Sequence, residues 1–146
     1  MTDDERALRA LATGGVEAIS WAEGSEPNWR AFFGPYLDGA VLCPSARPAT
    51  TVTPDAFQAR LDAQRGSNAL RSLDEKPLGT TVQVFGNVAV VMSAFEARAN
   101  GGEPGRGVNA YLCVKDGAEW KVVAVAWDNE SATVKLPPAL ASDAAV

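Results

Sequence analysis

Alternating apolar and polar residues occupy much of the second half of the chain and predict four β-strands. The alternation covers residues 80–85, 88–99, 106–115 and 119–129. Gly86-Asn87 and Asp116-Gly117 have the composition of two-residue hairpin turns, so each pair of runs should form an antiparallel hairpin. A shorter apolar run at residues 40–43 predicts one further strand, which ends at Pro44.

Helical spacing marks the first half of the chain. Gly14 and Gly15 weaken the middle of the first predicted helix. Pro27 marks a second helix start, and Thr53-Pro54-Asp55 marks a third, because it combines a capping hydroxyl, an early proline and an early acid. The apolar face of the first helix recurs at steps of three and four residues, at Leu8, Leu11, Ala12, Val16 and Ile19.

Helices followed by strands define the fold class. We predict an α+β protein in which a cone-shaped, strongly bent antiparallel sheet is wrapped by about three N-terminal helices. A chain of 146 residues suits a single domain, which we assign to residues 1–136. Pro137-Pro138 then introduces a tail of small residues, and we expect residues 137–146 to be flexible.

The turn positions decide which strand side chains share a face of the sheet. Because the helices can cover only one face and both faces are largely apolar, the second face predicts a homodimer formed through the sheet. That second face includes Met92, Leu112, Val125 and Trp127. The first face mixes apolar residues with four polar ones, Ser93, Asn109, Tyr111 and Asp128.

The net charge and the residue types that are absent argue against several kinds of partner and cofactor. A net charge of −5 without a basic run argues against a nucleic-acid partner. No apolar run approaches the length of a signal peptide or a membrane span, so we expect a cytoplasmic protein without a membrane partner. The chain has no histidine and only two cysteines, Cys43 and Cys113, and we therefore predict no metal, no cofactor and two free thiols.

Several segments resemble the nuclear transport factor 2-like superfamily, which includes the SnoaL-like and ketosteroid-isomerase-like proteins. The resemblance covers about residues 4–131 and rests on the Trp21 helix, on residues 28–33 and 53–57, and on the closing segment 117–128. The chain is also similar to an uncharacterised bacterial branch that carries Arg-Gly-Val/Ile-Asn on the penultimate strand, here residues 106–109, and Trp-Asp near the end. The resemblance implies the cone fold, often a dimer, and either catalysis or binding. The histidine of the cyclase and dehydratase patterns is absent here.

We predict that a cone-shaped pocket binds a small hydrophobic molecule. The alternative is an enzyme of isomerase, cyclase or dehydratase type, which would transfer protons through a buried carboxylate, with Asp128 as the catalytic residue. A third interpretation is a dimerising interaction module whose cavity is only core. Independently of these three functions, Asn109 and Asp128 could simply satisfy loop backbone or cap the ends of strands. The predicted ligand-binding residues are Trp21, Trp29, Phe33, Tyr36, Phe95, Asn109 and Tyr111.

Overall fold

Three helices precede most of the sheet. In the computed structural model, which describes residues 1–142, α1 spans Asp3–Ile19, α2 spans Trp29–Phe33 and α3 spans Pro54–Gly66. The hydroxyls of Thr2 and Thr53 accept backbone N–H bonds at the starts of α1 and α3, as helix-capping hydroxyls commonly do. None of the helices within residues 1–142 is long and apolar enough to cross a membrane.

Helix α1 runs without interruption through its two glycines. Burial of Leu8, Ala12 and Val16 against the sheet stabilises the helix, and such packing outweighs the low helix propensity of Gly14 and Gly15. The N-terminus of α1 is also attached to the sheet, because the carboxylate of Asp4 accepts hydrogen bonds at 3.0 Å from both Lys115 Nζ and Trp120 Nε1.

Within residues 1–142, five strands form one open sheet in the order β1-β5-β4-β3-β2. Strand β1 pairs parallel with β5, and the other pairs are antiparallel, so the sheet is mixed. The predicted α+β class is confirmed, and β1 alone departs from the antiparallel pairing, because no hairpin turn joins it to its neighbour. The strands are β1 Tyr36–Cys43, β2 Leu73–Phe85, β3 Val88–Ala99, β4 Gly105–Asp116 and β5 Glu119–Asn129.

Strand β2 begins earlier than its alternation predicts. Pro77 interrupts the sequence before residue 80, where the alternation begins, but β2 lies at an edge of the sheet, where proline is tolerated. Two backbone hydrogen bonds between Trp21 and Leu73 fix this early part of the strand. The longer strand brings Glu75 into the sheet, a residue for which no sequence pattern indicated a role.

A β-bulge in β5 changes which of its side chains face the helices. Leu112 pairs with Ala124 while Cys113 pairs with Val122, so Val123 is the extra residue. Beyond this bulge the alternation is inverted. Val125 and Trp127 face the helices rather than the outside, and Asp128 faces outward. The predicted assignment of these three residues to faces was wrong because one inserted residue exchanges the two faces.

The segment after β5 covers one end of the outer face. A short helix, α4 (Pro138–Ala141), buries Leu140 to 4% exposure against Leu78 and Ala94. The prediction of a flexible tail for residues 137–146 stays a prediction, but residues 138–141 are helical and Leu140 packs on apolar surface of the outer face. Residues 143–146 lie outside the described part of the chain. Both cysteines are free thiols, Cys113 buried and Cys43 half-buried.

Candidate functional site

A cavity of about 210 Å³ lies between the inner face of the sheet and the three main helices. Helices α1, α2 and α3 and all five strands contribute to its wall. Most of the wall is apolar, which is the usual composition of a small-molecule pocket. The apolar lining consists of Val16, Ile19, Phe32, Leu42, Phe57, Leu61, Leu70, Leu73, Phe95, Val125 and Trp127, together with the backbone of Gly15.

Four polar side chains interrupt this apolar wall: Tyr36, Glu75, Asn109 and Tyr111. Within residues 1–142, the polar atoms of these four side chains make no hydrogen bond with the protein. Tyr111 is buried and the other three residues are half-buried, so their polar atoms face the cavity rather than the packed core. The four groups are therefore available to water or to a molecule inside the cavity.

Glu75 is held in the wall by its own backbone. Its N–H donates to the Ser20 hydroxyl over 2.9 Å, and that hydroxyl lies 3.2 Å from the carbonyl oxygen of Glu75. Ser20 follows the last residue of α1, so this contact joins the end of the helix to β2. The alternation of β2 then directs the Glu75 side chain to the cavity, on the same face as Leu73.

Burial raises the pKa of the Glu75 carboxyl from 4.5 to about 7. Neither lysine nor arginine lines this cavity in the described part of the chain, so no cation offsets the cost of burying the charge. A carboxyl with a pKa near neutrality can exist in both protonation states under ordinary conditions. Such a group can act either as an acid or as a base.

The two tyrosine hydroxyls stay protonated. Burial, and secondarily the charge of Glu75, raises the pKa of Tyr111 above its usual value. Burial and the nearby Tyr111 likewise raise the pKa of Tyr36. Both residues therefore offer neutral O–H donors to the cavity, Tyr111 close to the Glu75 carboxylate and Tyr36 close to Tyr111, and the amide of Asn109 adds a donor and an acceptor.

Two glycines make room for this arrangement. A Cβ at Gly15 would lie 3.1 Å from the hydroxyl oxygen of Tyr111, so the absence of a side chain in α1 leaves space for that hydroxyl. A Cβ at Gly107 would lie 2.5 Å from Cζ of Phe95. The glycine of the Arg-Gly-Val-Asn motif thus lets the Phe95 ring lie across β4 and form part of the wall.

The aromatic residues divide into an inner and an outer layer. Phe32 and Phe57 are near-parallel with ring centres 6.0 Å apart, and Trp127 meets Phe57 edge to face at 5.6 Å. These three rings line the cavity. Trp29 and Phe33 stack on each other at 5.6 Å and lie outside this lining.

The predicted site residues are therefore only partly brought together. Tyr36, Phe95, Asn109 and Tyr111 lie on the cavity wall. Trp29 and Phe33 do not, because they form the outer aromatic layer. Trp21 is also outside, since its indole N–H donates to the carbonyl of Arg71 at the junction between α1 and β2.

Asp128 lies on the outer side of the sheet. Its carboxylate accepts the backbone N–H of Asn129 over 2.8 Å, and the residue is exposed. It borders a separate groove between the sheet and the C-terminal segment. The bulge at Val123 thus removes Asp128 from the cavity to which the sequence assigned it, and the carboxylate in that cavity is Glu75.

No family model matches this sequence, and no curated protein matches it either. Solved structures of similar fold are found. A cystatin-like-fold domain of unknown function from Nostoc punctiforme aligns with a TM-score of 0.69 at 16% identity, over 91% of this chain and 81% of that one. An NTF2-like protein of unknown function from Pseudomonas putida aligns with a TM-score of 0.67 at 17% identity, over 88% and 87%.

A third similar structure comes from Novosphingobium aromaticivorans and is named, provisionally, as a scytalone dehydratase. It aligns with a TM-score of 0.62 at 12% identity, over 98% of this chain and 94% of that one. At these identities the likeness concerns the fold alone. The chain therefore has the NTF2-like, cystatin-like fold, as the sequence resemblance implied.

Proposed function

We propose that this protein binds a small, largely apolar molecule in the cavity between the sheet and the helices. One observation carries the proposal: four polar side chains without protein partners lie in an otherwise apolar cavity. The polar atoms of these side chains have no protein partner and are accessible from the cavity, where only water or a ligand can pair with them. A bound molecule with one or two polar atoms would replace that water and pair with these groups.

The two adjacent glycines of α1 supply a matched pair of variants. We expect Gly15→Ala to weaken ligand binding, because the added methyl would lie 3.1 Å from the Tyr111 hydroxyl. Gly14→Ala is the control, since no atom lies within 4 Å of its added methyl. Both changes improve helix propensity by about 1 kcal/mol, so propensity cannot explain a difference between them.

Titration of both variants with small aromatic compounds, followed by NMR shifts or thermal stabilisation, measures this difference. We expect Gly14→Ala to bind as the wild type does and Gly15→Ala to bind several-fold more weakly. Equal binding by the two variants would remove the Tyr111 region from the site. No stabilisation of the wild type by any such compound would contradict the proposed function itself.

A second candidate function is an enzyme of isomerase, cyclase or dehydratase type. The position and raised pKa of Glu75 favour it, because a buried carboxylate near neutrality can remove a proton from carbon. In that reaction Glu75 takes a proton from the carbon next to a carbonyl, while a tyrosine hydroxyl donates to the oxygen that becomes negative. Glu75 would then return the proton to the substrate.

Exchange of ring protons in deuterated water distinguishes the enzyme from the binder. Cyclohexanone incubated with the wild type should gain deuterium next to its carbonyl faster than with Glu75→Gln. Equal rates for the two proteins would leave binding without turnover as the function. Asp128→Asn, which changes a carboxylate outside the cavity, is the matched control and should exchange as the wild type does.

We also propose that two copies associate through the uncovered part of the outer sheet face. Apolar side chains cluster there on β2, β3 and β4, and Phe85 is 85% exposed. Contiguous exposed apolar surface of this kind is typical of an interaction site. The proposed surface consists of Phe85, Val88, Val90, Met92 and Leu112.

The two free thiols suit the reducing cytoplasm, which we propose as the location.

A charge in the middle of this surface should separate the dimer. Leu112→Glu would place a carboxylate against apolar partners, and we expect it to elute and scatter light as a monomer where the wild type is a dimer. Ala10→Glu is the control, because Ala10 is exposed on α1, on the other side of the sheet from the proposed surface. A monomeric wild type at micromolar concentration would refute the proposal.

A further inference from the structure

Resting on the proposed binding function, we infer that the preferred ligand is a flat, one-ring molecule with a hydroxyl group, such as a substituted phenol, whose O–H donates to the Glu75 carboxylate. The tyrosine hydroxyls of Tyr36 and Tyr111 donate to the oxygen of the same group. The ring occupies the apolar part of the cavity.

The cavity volume limits the ligand to about one ring. An apolar cavity of about 150 Å³ is sufficient to hold benzene. The volume here is about 210 Å³, which leaves room for a ring with a few substituents. A molecule of several fused rings would extend beyond this volume.

The wall favours a flat ring over a chain. Phe32 and Phe57 lie nearly parallel, and Trp127 stands almost perpendicular to Phe57 at an interplanar angle of 83°. The wall therefore contains aromatic rings in two orientations. An aromatic ligand can meet them in the edge-to-face and offset arrangements that aromatic pairs prefer.

The polar groups favour a hydroxyl over other polar groups. Ionised Glu75 can only accept hydrogen bonds, whereas the protonated hydroxyls of Tyr36 and Tyr111 can donate them. A ligand hydroxyl both donates and accepts, so it satisfies the carboxylate and a tyrosine together. A carbonyl or ether oxygen can only accept, and it would leave the carboxylate buried without a partner.

An ammonium group suits the cavity less well. It needs three acceptors and must lose its hydration on entry. The neighbours of Glu75 are Ser20 at the end of α1, Ala97 on β3 and Tyr111 on β4. None of these three residues adds a second negative charge for an ammonium group. In the cavity wall of the described chain, Glu75 is the only group that carries a full negative charge, so a single ion pair would have to offset the desolvation of both ions.

Four probes of equal size test the ligand class: p-cresol, anisole, p-xylene and benzylamine have the same number of non-hydrogen atoms. At about pH 8, where Glu75 is ionised, we expect p-cresol to bind about tenfold more tightly than anisole or benzylamine. In Glu75→Leu the ratio of p-cresol to p-xylene affinity should fall by about tenfold or more, because the charged acceptor is gone. If Glu75→Leu fails to fold, Glu75→Gln should still lower that ratio several-fold.

The outcomes separate this inference from the binding function on which it rests. Anisole binding as tightly as p-cresol, or a ratio unchanged in the Glu75 variant, would overturn the hydroxyl assignment while cavity binding stands. Tightest binding by benzylamine would assign the site to cations instead and would also overturn it. Failure of the wild type to bind any of the four probes would contradict the binding function itself.

Discussion

Replacing Glu75 by glutamine should make the protein more stable at about pH 8 and leave its stability almost unchanged at about pH 4. Glutamine has nearly the same size and shape as the protonated acid and carries no charge. At pH 8 the wild-type carboxylate is ionised inside an apolar cavity without a neighbouring cation, and the glutamine variant avoids that cost.

The sign and the size of this stability difference follow from the raised pKa of Glu75. The pKa of Glu75 is about 7 in the folded protein and 4.5 in an exposed carboxyl, so the folded state binds this proton more tightly. Its stabilising contribution is fully present below pH 4.5 and is lost as the pH rises through 7. The total loss is about 3 kcal/mol, which sets the upper limit for the gain in Glu75→Gln at pH 8.

Denaturant unfolding of both proteins across this pH range measures the difference. Other carboxyls also titrate there, so the quantity to compare is the free energy of unfolding of the variant minus that of the wild type at each pH. Glu103→Gln is the control, because Glu103 lies in the exposed loop before β4 and the difference for this variant should change little with pH. A difference for Glu75→Gln that does not change with pH would mean that the carboxyl is solvated in the folded protein.

Most helices and strands could be predicted from the sequence because the signals for each one lie within a few neighbouring residues. The bounds of β3 and β5 and the start of α3 at Thr53-Pro54 agree with the structure. The final turn was displaced by one residue, to Gly117-Ala118, because Asp116 pairs with Glu119. Features that depend on distant partners were missed, as the parallel pairing of β1 and the packing of α4 demonstrate.

The candidate site was predicted only where alternation persisted. Asn109 and Tyr111 precede any irregularity in β4, and both lie on the cavity wall. Asp128 follows the bulge at Val123, which no residue type in the sequence indicates. Asp128 was therefore predicted on the inner face of the sheet but lies on the outer face. Glu75 was missed because Pro77 argued against a strand in this segment. In addition, an isolated glutamate normally indicates an exposed position.

Gly107→Ala should destabilise the protein by about 1–3 kcal/mol or more and should weaken binding in the cavity. The added methyl would lie 2.5 Å from Phe95 Cζ and 2.6 Å from the carbonyl oxygen of Asp128. The second neighbour is backbone in the paired strand β5, so it cannot move without disturbing the sheet. Displacement of the Phe95 ring would also alter the cavity wall to which that ring belongs.

Gly105→Ala is the matched control, because no atom lies within 4 Å of its added methyl. It should be neutral or slightly stabilising, since alanine restricts the unfolded chain by about 0.4–1 kcal/mol relative to glycine. Thermal unfolding of the two variants and of Gly107→Ala combined with Phe95→Leu would separate the contact with the ring from the contacts with β5. Phe95→Leu removes the ring atom, so it should recover part of the loss, and the remainder belongs to the Asp128 carbonyl and the Asn129 side chain, whose Oδ1 would lie 2.9 Å from the added methyl. Unfolding of Gly107→Ala at the wild-type temperature would contradict the close approach of β4 to this ring.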